Sequence, residues 1–402
     1  MKPKLSKEKI HNLLTRGVER VYPSPKLLEK RLLSGERIRL YCGYDPSGTT
    51  LHFGHIITLR KLAQFQELGH EVIMLIGDFT GMIGDPTDKT TARKKLTREE
   101  VLKNSVNYRK QASRFLEFEG PNAARIIYNS LWSDKLTFLE LIEIASSFTV
   151  QQMITREMFQ ERLRSKKPIY LHEFLYPLAQ AYDSVFMDVD LEIGGNDQTF
   201  NMLCGRDLMK AMRGKEKFVM GLKLLTDPTG KKMGKTEGNM ITLEEVPEQM
   251  YGKIMAWPDC LIGPGLELLT EASMDKIKER LEKIKKGEIN PRDAKAEMAK
   301  EIVRFCFCRE IAEKAEREFN KVFREKELPT EIPAIRIEDK KLPILDLLIK
   351  TRLVSSKAEA KRLILQNGVK IDSQLQGDWR RVVEIKKGQV VQIGKRKFVR
   401  IG

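Results

Sequence analysis

The chain has 402 residues, of which 41% are hydrophobic, enough for two or three domains with ordinary cores. Its longest apolar stretches, such as residues 72–76, fall far short of the roughly 20 residues a membrane helix needs, and no apolar signal region follows Met1-Lys2-Pro3-Lys4, so membrane-spanning and secreted classes are disfavoured and the cytoplasm is the expected location. The net charge of +16 favours a polyanionic partner, and residues 341–402 hold 15 Lys/Arg against 5 Asp/Glu, so +10 of that excess lies in the last segment.

A strand over 38–41 opens the ordered pattern and runs into Tyr41-Cys42-Gly43-Tyr44-Asp45-Pro46-Ser47-Gly48. A helix over about 55–67 and a strand over 71–76 follow. Gly and Pro at the strand ends make this a βαβ unit, and hence part of an α/β fold with a parallel, doubly wound sheet. Ligands bind such sheets outside the carboxyl ends of the strands, where His52 and His55 fall. Residues 136–164 are helix formers with apolar positions at Phe138, Leu139, Ile142, Ile144 and Met153. They interrupt the strand rhythm as a helical insertion, for which burial and a dimer interface both fit and the interface is favoured.

Past Thr236 the pattern is helical. Met274, Ile277, Leu281 and Ile284 form one stripe closed by Gly287, and Ala294, Met298, Ile302 and Phe305 form a second; both are expected in the core. Pro329, Pro333 and Pro343 punctuate a charged linker. A helix around 344–349 follows, then one capped by Ser355-Ser356 and closed by Asn367-Gly368, then strands at 369–371, 389–393 and 398–401. Lys357, Lys361, Arg362, Arg380, Arg381, Lys395, Arg396 and Lys397 decorate this small basic module, the expected RNA-binding surface. The five cysteines contain no Cys-x-x-Cys pair and read as buried thiols of a reducing compartment, with no metal site expected.

Two runs carry the chemistry. His52-Phe53-Gly54-His55 opens a helix, whose N-terminus offers N–H groups and a positive dipole to phosphate, while two imidazoles within one turn donate to oxygens as charge moves onto leaving pyrophosphate. About 180 residues later, Lys232-Met233-Gly234-Lys235-Thr236 is a loop in which two lysines reach the same triphosphate. A chance tetrapeptide and a solvated lysine turn are the bland alternatives to each run alone.

Together these runs resemble the His-Ile-Gly-His and Lys-Met-Ser-Lys-Ser signatures of class I aminoacyl-tRNA synthetases, with Phe53, Gly234 and Thr236 as substitutions. With Gly81-Met82-Ile83-Gly84-Asp85-Pro86, Tyr176-Pro177-Leu178-Ala179-Gln180-Ala181-Tyr182-Asp183 and Gly194-Gly195-Asn196-Asp197-Gln198, the whole chain resembles the bacterial tyrosyl-tRNA synthetases, its tail being similar to the RNA-binding fold of ribosomal small-subunit protein four. The resemblance implies that His52, His55, Lys232, Lys235 and Thr236 act in catalysis. It implies that Asp85, Tyr176 and Gln180 hold the tyrosine ammonium, and that Tyr41 and Asp183 flank its phenolic hydroxyl. Steps of 4 and 3 residues independently place Tyr176, Gln180 and Asp183 on one helix face.

By the same resemblance Gly54, Gly195, Asp197 and Gln198 contact the adenylate and amino acid, Asp45, Ser47 and Thr80 line the pocket, and Lys89 and Arg93 help hold pyrophosphate. ATP is then a substrate accompanied by Mg2+, and the partners are L-tyrosine, tRNA(Tyr) and a second copy of the chain. The implied layout is a Rossmann-like catalytic domain over 1–236 with the insertion at about 120–170, a helical anticodon-side domain over 237–328, a linker over 329–342 and the basic domain over 343–402. A tryptophan-specific synthetase, a small-molecule nucleotidyltransferase and a decayed RNA-binding relative are the rival readings; Tyr41, Asp183, the basic tail and the intact His and Lys runs argue against them.

Overall fold

Runs of consecutive apolar residues bounded by Gly and Pro form strands buried on both faces, the mark of a parallel sheet covered by helices. In the computed structural model, which describes residues 6–87, 95–226, 240–323, 328, 332–394 and 397–402, this accounts for the centre of the main sheet. Two units are distinguished, residues 1–245 with 258–298, and residues 246–257 with 299–402.

The first unit holds a six-stranded sheet of β1 (Val18–Tyr22), β2 (Arg39–Tyr44), β3 (Glu71–Ile76), β4 (Arg125–Tyr128), β5 (Leu191–Gly195) and β6 (Phe218–Leu222), in the order β1-β6-β5-β2-β3-β4. All neighbours are parallel except β1, an antiparallel edge strand on β6 with an irregular register that the sequence pattern did not announce. The order jumps between β5 and β2, and open α/β sheets bind ligands outside the carboxyl ends of the strands at such a switch point. The helix Phe53–Glu67 follows β2, and the helices Leu171–Met187 and Thr199–Arg213 pack together on either side of β5 in sequence.

The insertion forms the helices Phe138–Ser146, Val150–Ile154 and Glu157–Arg164. Ile144 and Met153 are buried, whereas Phe138, Leu139 and Ile142 are exposed. The stripe expected in the core around residue 277 is only partly there: the helix Met274–Lys285 buries Ile277 alone, and Leu281 is exposed. A stripe signals amphipathicity but not which side of the helix the rest of the chain covers. In the second stripe Ala294, Met298 and Ile302 are fully buried. None of the five cysteines is in a disulfide, but Cys260 is exposed and Cys308 half-buried, so the expectation of uniformly buried cysteines fails for those two.

Helix Ile262–Leu269 is tied to the N-terminal segment by cations. Arg16 donates to the carbonyls of Leu266 (3.0 Å), Glu267 (2.9 Å) and Thr270 (2.7 Å), satisfying the orphan acceptors of the helix end. Lys61 donates to the carbonyls of Leu13 (2.8 Å) and Arg16 (3.0 Å). Burial first, then the neighbouring charges of Arg60 and Arg16, bring the Lys61 ammonium down to about 7. Between pH 7 and about 10.4, the ordinary lysine value, the unfolded chain therefore binds the extra proton. Stability should rise with pH in that window, with a slope approaching about 1.4 kcal/mol per pH unit. Urea titrations at pH 7 and 9 should show this gain in the native chain and its loss in Lys61→Met; equal slopes would exclude the assignment.

In the second unit Tyr251, on the helix Pro247–Met255, packs its ring 5.2 Å from that of Phe319 on the helix Arg309–Phe323. The C-terminal strands are β7 (Ala334–Ile335), β8 (Lys341–Pro343), β9 (Val369–Ile371), β10 (Gln374–Leu375), β11 (Val382–Glu384), β12 (Val390–Ile393) and β13 (Lys397–Ile401), arranged as β10-β9-β12-β13-β7 and β11-β8. β7 lies within the segment read as a linker, yet pairs in parallel with β13. Leu347, Leu348, Ile364, Val369 and Val391 form a closed core under these strands.

Candidate active site

The loop after β2 is clamped from the side before it reaches the histidines. Asn104 Nδ2 donates to the Pro46 carbonyl (2.9 Å), Tyr108 Oη to the Gly48 carbonyl (2.7 Å), and Gln111 Oε1 accepts from the Leu51 N–H (2.6 Å). His52 is the N-cap of the helix Phe53–Glu67: its Nδ1 accepts from the Gly54 N–H (3.1 Å), while Nδ1 of His55 accepts from the His52 N–H (3.1 Å). The two rings stack 3.8 Å apart. An Nδ1 that accepts carries no proton, so each neutral ring holds its hydrogen on Nε2 and is a donor there. The backbone thus sets the tautomer of both rings. Gly54 is needed for the cap, since a Cβ there would lie 2.9 Å from Cε1 of His52.

Residues 241–243 run against this helix start, with the Phe53 N–H donating to the Ile241 carbonyl (3.1 Å) and the Leu243 N–H to the Leu51 carbonyl (2.9 Å). Lys232, Lys235 and Thr236 fall in the segment 227–239 and lie outside the described residues, as do Lys89, Arg93, Lys395 and Arg396.

A chain of polar side chains crosses the carboxyl ends of the strands. Asp45, at the end of β2, accepts from Tyr176 Oη (2.8 Å) and Thr80 Oγ1 (2.7 Å). Thr80 accepts from Asn129 Nδ2 (3.0 Å), the same nitrogen lies 3.2 Å from Asp183 Oδ2, and Asp183 Oδ1 accepts from Trp132 Nε1 (2.8 Å). Gly77 leaves the space for this, because a Cβ there would stand 1.9 Å from Asp45 Oδ1. Burial pushes the Asp183 carboxyl well above its usual range, against the pull of the Trp132 and Asn129 hydrogen bonds. Asp85 accepts from Gln198 Nε2 (2.7 Å) and from Thr87 Oγ1 (2.6 Å), and the latter oxygen is itself held by buried Arg156 (2.6 Å).

Tyr41 is fully buried, with Oη 2.9 Å from Ser184 Oγ. Gln180 Nε2 donates to Glu192 on β5 (2.9 Å). Hydrogen bonds therefore join Asp45, Thr80, Tyr176 and Asp183 into one network, and Asp85 with Gln198 into another. Ser47 is exposed, and Gly195, Asp197 and Gln198 occupy the end of β5 and the 3₁₀ turn Asn196–Gln198. The sequence reading missed Asn129, Trp132, Ser184, Glu192 and Lys217. Asn129 alone carried a usable signal, as the polar residue that directly follows the parallel strand β4. Among the described residues no group of three or more His, Cys, Asp or Glu is placed to hold a metal ion, and no helix is long and apolar enough to cross a membrane.

In the second unit Lys357, Lys361, Arg362, Arg380, Arg381 and Lys397 are all exposed. Lys361 and Arg380 both stand over the Trp379 ring, 4.1 Å and 4.7 Å from its centre, an aromatic the sequence reading passed over. Lys357 pairs with Asp346 (2.6 Å), Lys397 donates to the Leu353 carbonyl (3.2 Å) and Arg381 to Gln376 (2.7 Å).

Residues 33–324 match the profile of class I tRNA synthetases specific for tryptophan and tyrosine, and residues 325–401 that of the C-terminal domain of SYY-like tyrosine–tRNA ligases. The tyrosine–tRNA ligase of Moorella thermoacetica is 42% identical over 393 residues, 97% of this chain and 94% of its own. That of Carboxydothermus hydrogenoformans is 43% identical over 399 residues, 97% and 96%. The fold is shared with the tyrosyl-tRNA synthetase of Archaeoglobus fulgidus, solved with L-tyrosine, at TM-score 0.61 and 24% identity over 77% of this chain and 100% of that one. It is also shared with a truncated mitochondrial tyrosyl-tRNA synthetase of Coccidioides posadasii, at TM-score 0.63 and 24% identity over 78% and 92%. Matched in both of its parts, in order and over nearly its full length, this chain belongs to the tyrosine–tRNA ligase family of class I aminoacyl-tRNA synthetases.

Proposed function

We propose that the tyrosine carboxylate attacks the α-phosphorus of ATP outside the carboxyl ends of the strands, releasing pyrophosphate, and that the tyrosyl group then passes to the 3′-terminal ribose of tRNA(Tyr). The observation that carries this reading is the hydrogen-bonded chain Tyr176–Asp45–Thr80–Asn129–Asp183 across the carboxyl ends of β2, β3 and β4. Asp183 accepts from the substrate phenol and Tyr41 lies on its other side. Tyr176 Oη, having given its proton to Asp45, retains lone pairs; Gln180, having given an N–H to Glu192, retains its carbonyl oxygen; Asp85 is a carboxylate. Three acceptors suit the three N–H groups of an ammonium. Tyrosyl-tRNA synthetases as a class reject phenylalanine by roughly 10⁵-fold without editing, because buried polar groups built for a hydroxyl are stranded without it.

Nε2 of His52 and His55, with the helix N-terminus, neutralise charge on the leaving pyrophosphate, and Lys232, Lys235 and Thr236 clamp it, with Lys89 and Arg93 on the same triphosphate. Ser47, Gly54, Gly195 and Asp197 receive the nucleotide, and Gln198 holds Asp85 toward the amino acid. Mg2+ arrives with the ATP. No residue forms a covalent bond to substrate; the protein positions and neutralises. The helices of 237–328 take the anticodon side of the tRNA, the exposed cations of 343–402 take its phosphates, and the setting is the cytoplasm. Tyrosine-dependent exchange of pyrophosphate into ATP tests the reading. Exchange with tyrosine and not with tryptophan or phenylalanine is expected, and its absence with tyrosine would end it.

A homodimer through the insertion accounts for Phe138, Leu139 and Ile142 being 78%, 66% and 50% exposed side by side on one helix. Phe138→Asp should shift the sedimentation coefficient from dimer to monomer; an unchanged dimer would place the interface elsewhere.

A further inference from the structure

Lys217, just before β6, is fully buried although no step of the chemistry above uses it. Its ammonium donates to Ser184 Oγ (2.8 Å) and to Glu192 Oε2. A Cβ on Gly205, in the helix Thr199–Arg213, would stand 2.5 Å from Lys217 Nζ and 2.9 Å from Ser184 Oγ, so the helix leaves room for the ammonium only by carrying glycine there. Such a buried cation stabilises little when it could be replaced by packed apolar side chains, so its neighbours indicate what it does.

An ammonium only donates, so Ser184 Oγ accepts from Lys217 and has one proton left to give. Two acceptors compete for it, Tyr41 Oη at 2.9 Å and Glu192 Oε2 at 3.3 Å. With the ammonium already on Glu192 Oε2, the nearer Tyr41 oxygen takes the Ser184 proton, and the proton of Tyr41 is left to Glu192 or to a ligand in the pocket, with the ammonium weakening the hold of Glu192 on it. Burial, together with the charges of Glu192 and Asp183, keeps that phenol protonated. The other oxygen of Glu192 takes the Gln180 amide N–H, leaving the Gln180 carbonyl as its outward group.

We propose that Lys217 is a positioning residue for tyrosine recognition: by engaging Glu192 and Ser184 it sets hydrogen-bond direction through the site, so that Tyr41 donates to the substrate phenol oxygen and Gln180 accepts from the substrate ammonium. This rests on the placement of phenol and ammonium proposed above. Without Lys217 the buried carboxylate of Glu192 takes protons from Ser184 and Tyr41, and Tyr41 turns from donor to acceptor. The substrate hydroxyl, which gives its own proton to Asp183, then loses its donor.

The test is pyrophosphate exchange by the full chain, normalised to active sites, with tyrosine and with phenylalanine. Lys217→Met should raise the KM for tyrosine and lower the tyrosine-to-phenylalanine ratio of kcat/KM, each roughly tenfold, with the KM for ATP unchanged. Gly205→Ala, which displaces the ammonium but keeps its charge, should move the same ratio in the same direction, and decides the matter alone if Lys217→Met does not fold. Tyr41→Phe reports on the pocket itself. An unmoved ratio in the Lys217 or Gly205 variant beside a lowered one in Tyr41→Phe overturns the proposal and leaves the pocket standing. An unmoved ratio in Tyr41→Phe removes the pocket and the proposal with it. Fewer active sites with unchanged KM and ratio would make Lys217 a structural ion pair only, and would also overturn it.

Discussion

His52→Ala is expected to slow tyrosyl-adenylate formation by roughly 100-fold, about 3 kcal/mol, while the affinity for tyrosine stays nearly the same. Two effects must be separated, because His52 caps the helix Phe53–Glu67 and, in the function proposed above, also offers Nε2–H to phosphate. Losing the cap costs about 1 kcal/mol of stability, which lowers the fraction folded rather than the rate per folded molecule. His52→Asn keeps an acceptor for the Gly54 N–H and a donor on the same side chain. It should restore stability fully and the rate in part, whereas a residue that served only as a cap would be rescued completely. Single-turnover adenylate formation with a parallel tyrosine titration reads both quantities. Equal weakening of tyrosine binding would show that His52 belongs to the amino-acid pocket and not to the phosphate site.

Ending the chain at Leu328 should leave adenylate formation intact and reduce tRNA charging, as kcat/KM for tRNA, by 100-fold or more on the order of what losing several phosphate contacts costs. The boundary lies earlier than the proline pattern suggests, because β7 pairs with β13 and Ile335 and Ile337 pack on the C-terminal core, so a cut after residue 340 would strand part of that sheet. Cations alone would make the lost binding strongly salt-dependent and indifferent to sequence. In the RNA-binding role proposed above, Trp379, which carries Lys361 and Arg380 over its ring, would serve as a stacking surface for an unpaired base. Charging by the full chain should fall steeply between low and moderate salt, and Trp379→Ala should weaken it with the salt slope preserved. Undiminished charging by the shortened chain would remove the RNA-binding role from residues 329–402.

Much of this was legible before any coordinates. The strand read over 71–76 became β3 residue for residue, the helix read from about residue 55 begins two residues earlier at Phe53, and Ser356 caps the helix Lys357–Leu365 that Asn367, in the left-handed region, helps to end. These features depend on neighbours a few residues away, through turn chemistry, capping and periodicity, so local sequence determines them. The motif residues were likewise visible, because a helix start or a loop lysine has meaning within its own segment.

Only the tertiary structure decided which of those residues meet. Asp45 receives Tyr176 from 131 positions away, Lys217 reaches Glu192 across 25, and neither partner is marked by its surroundings in sequence. A lysine beside an apolar strand reads as a solvated edge until β6 is placed next to β5 and Gly205 opens room for its ammonium. The same holds for the stripe of which Ile277 alone is buried, and for β1, whose pairing depends on β6 being present. Backbone conformation answers to forces within a few residues, whereas burial and hydrogen-bond partnership answer to whatever part of the chain packs alongside, and that is set by the order of strands in the sheet.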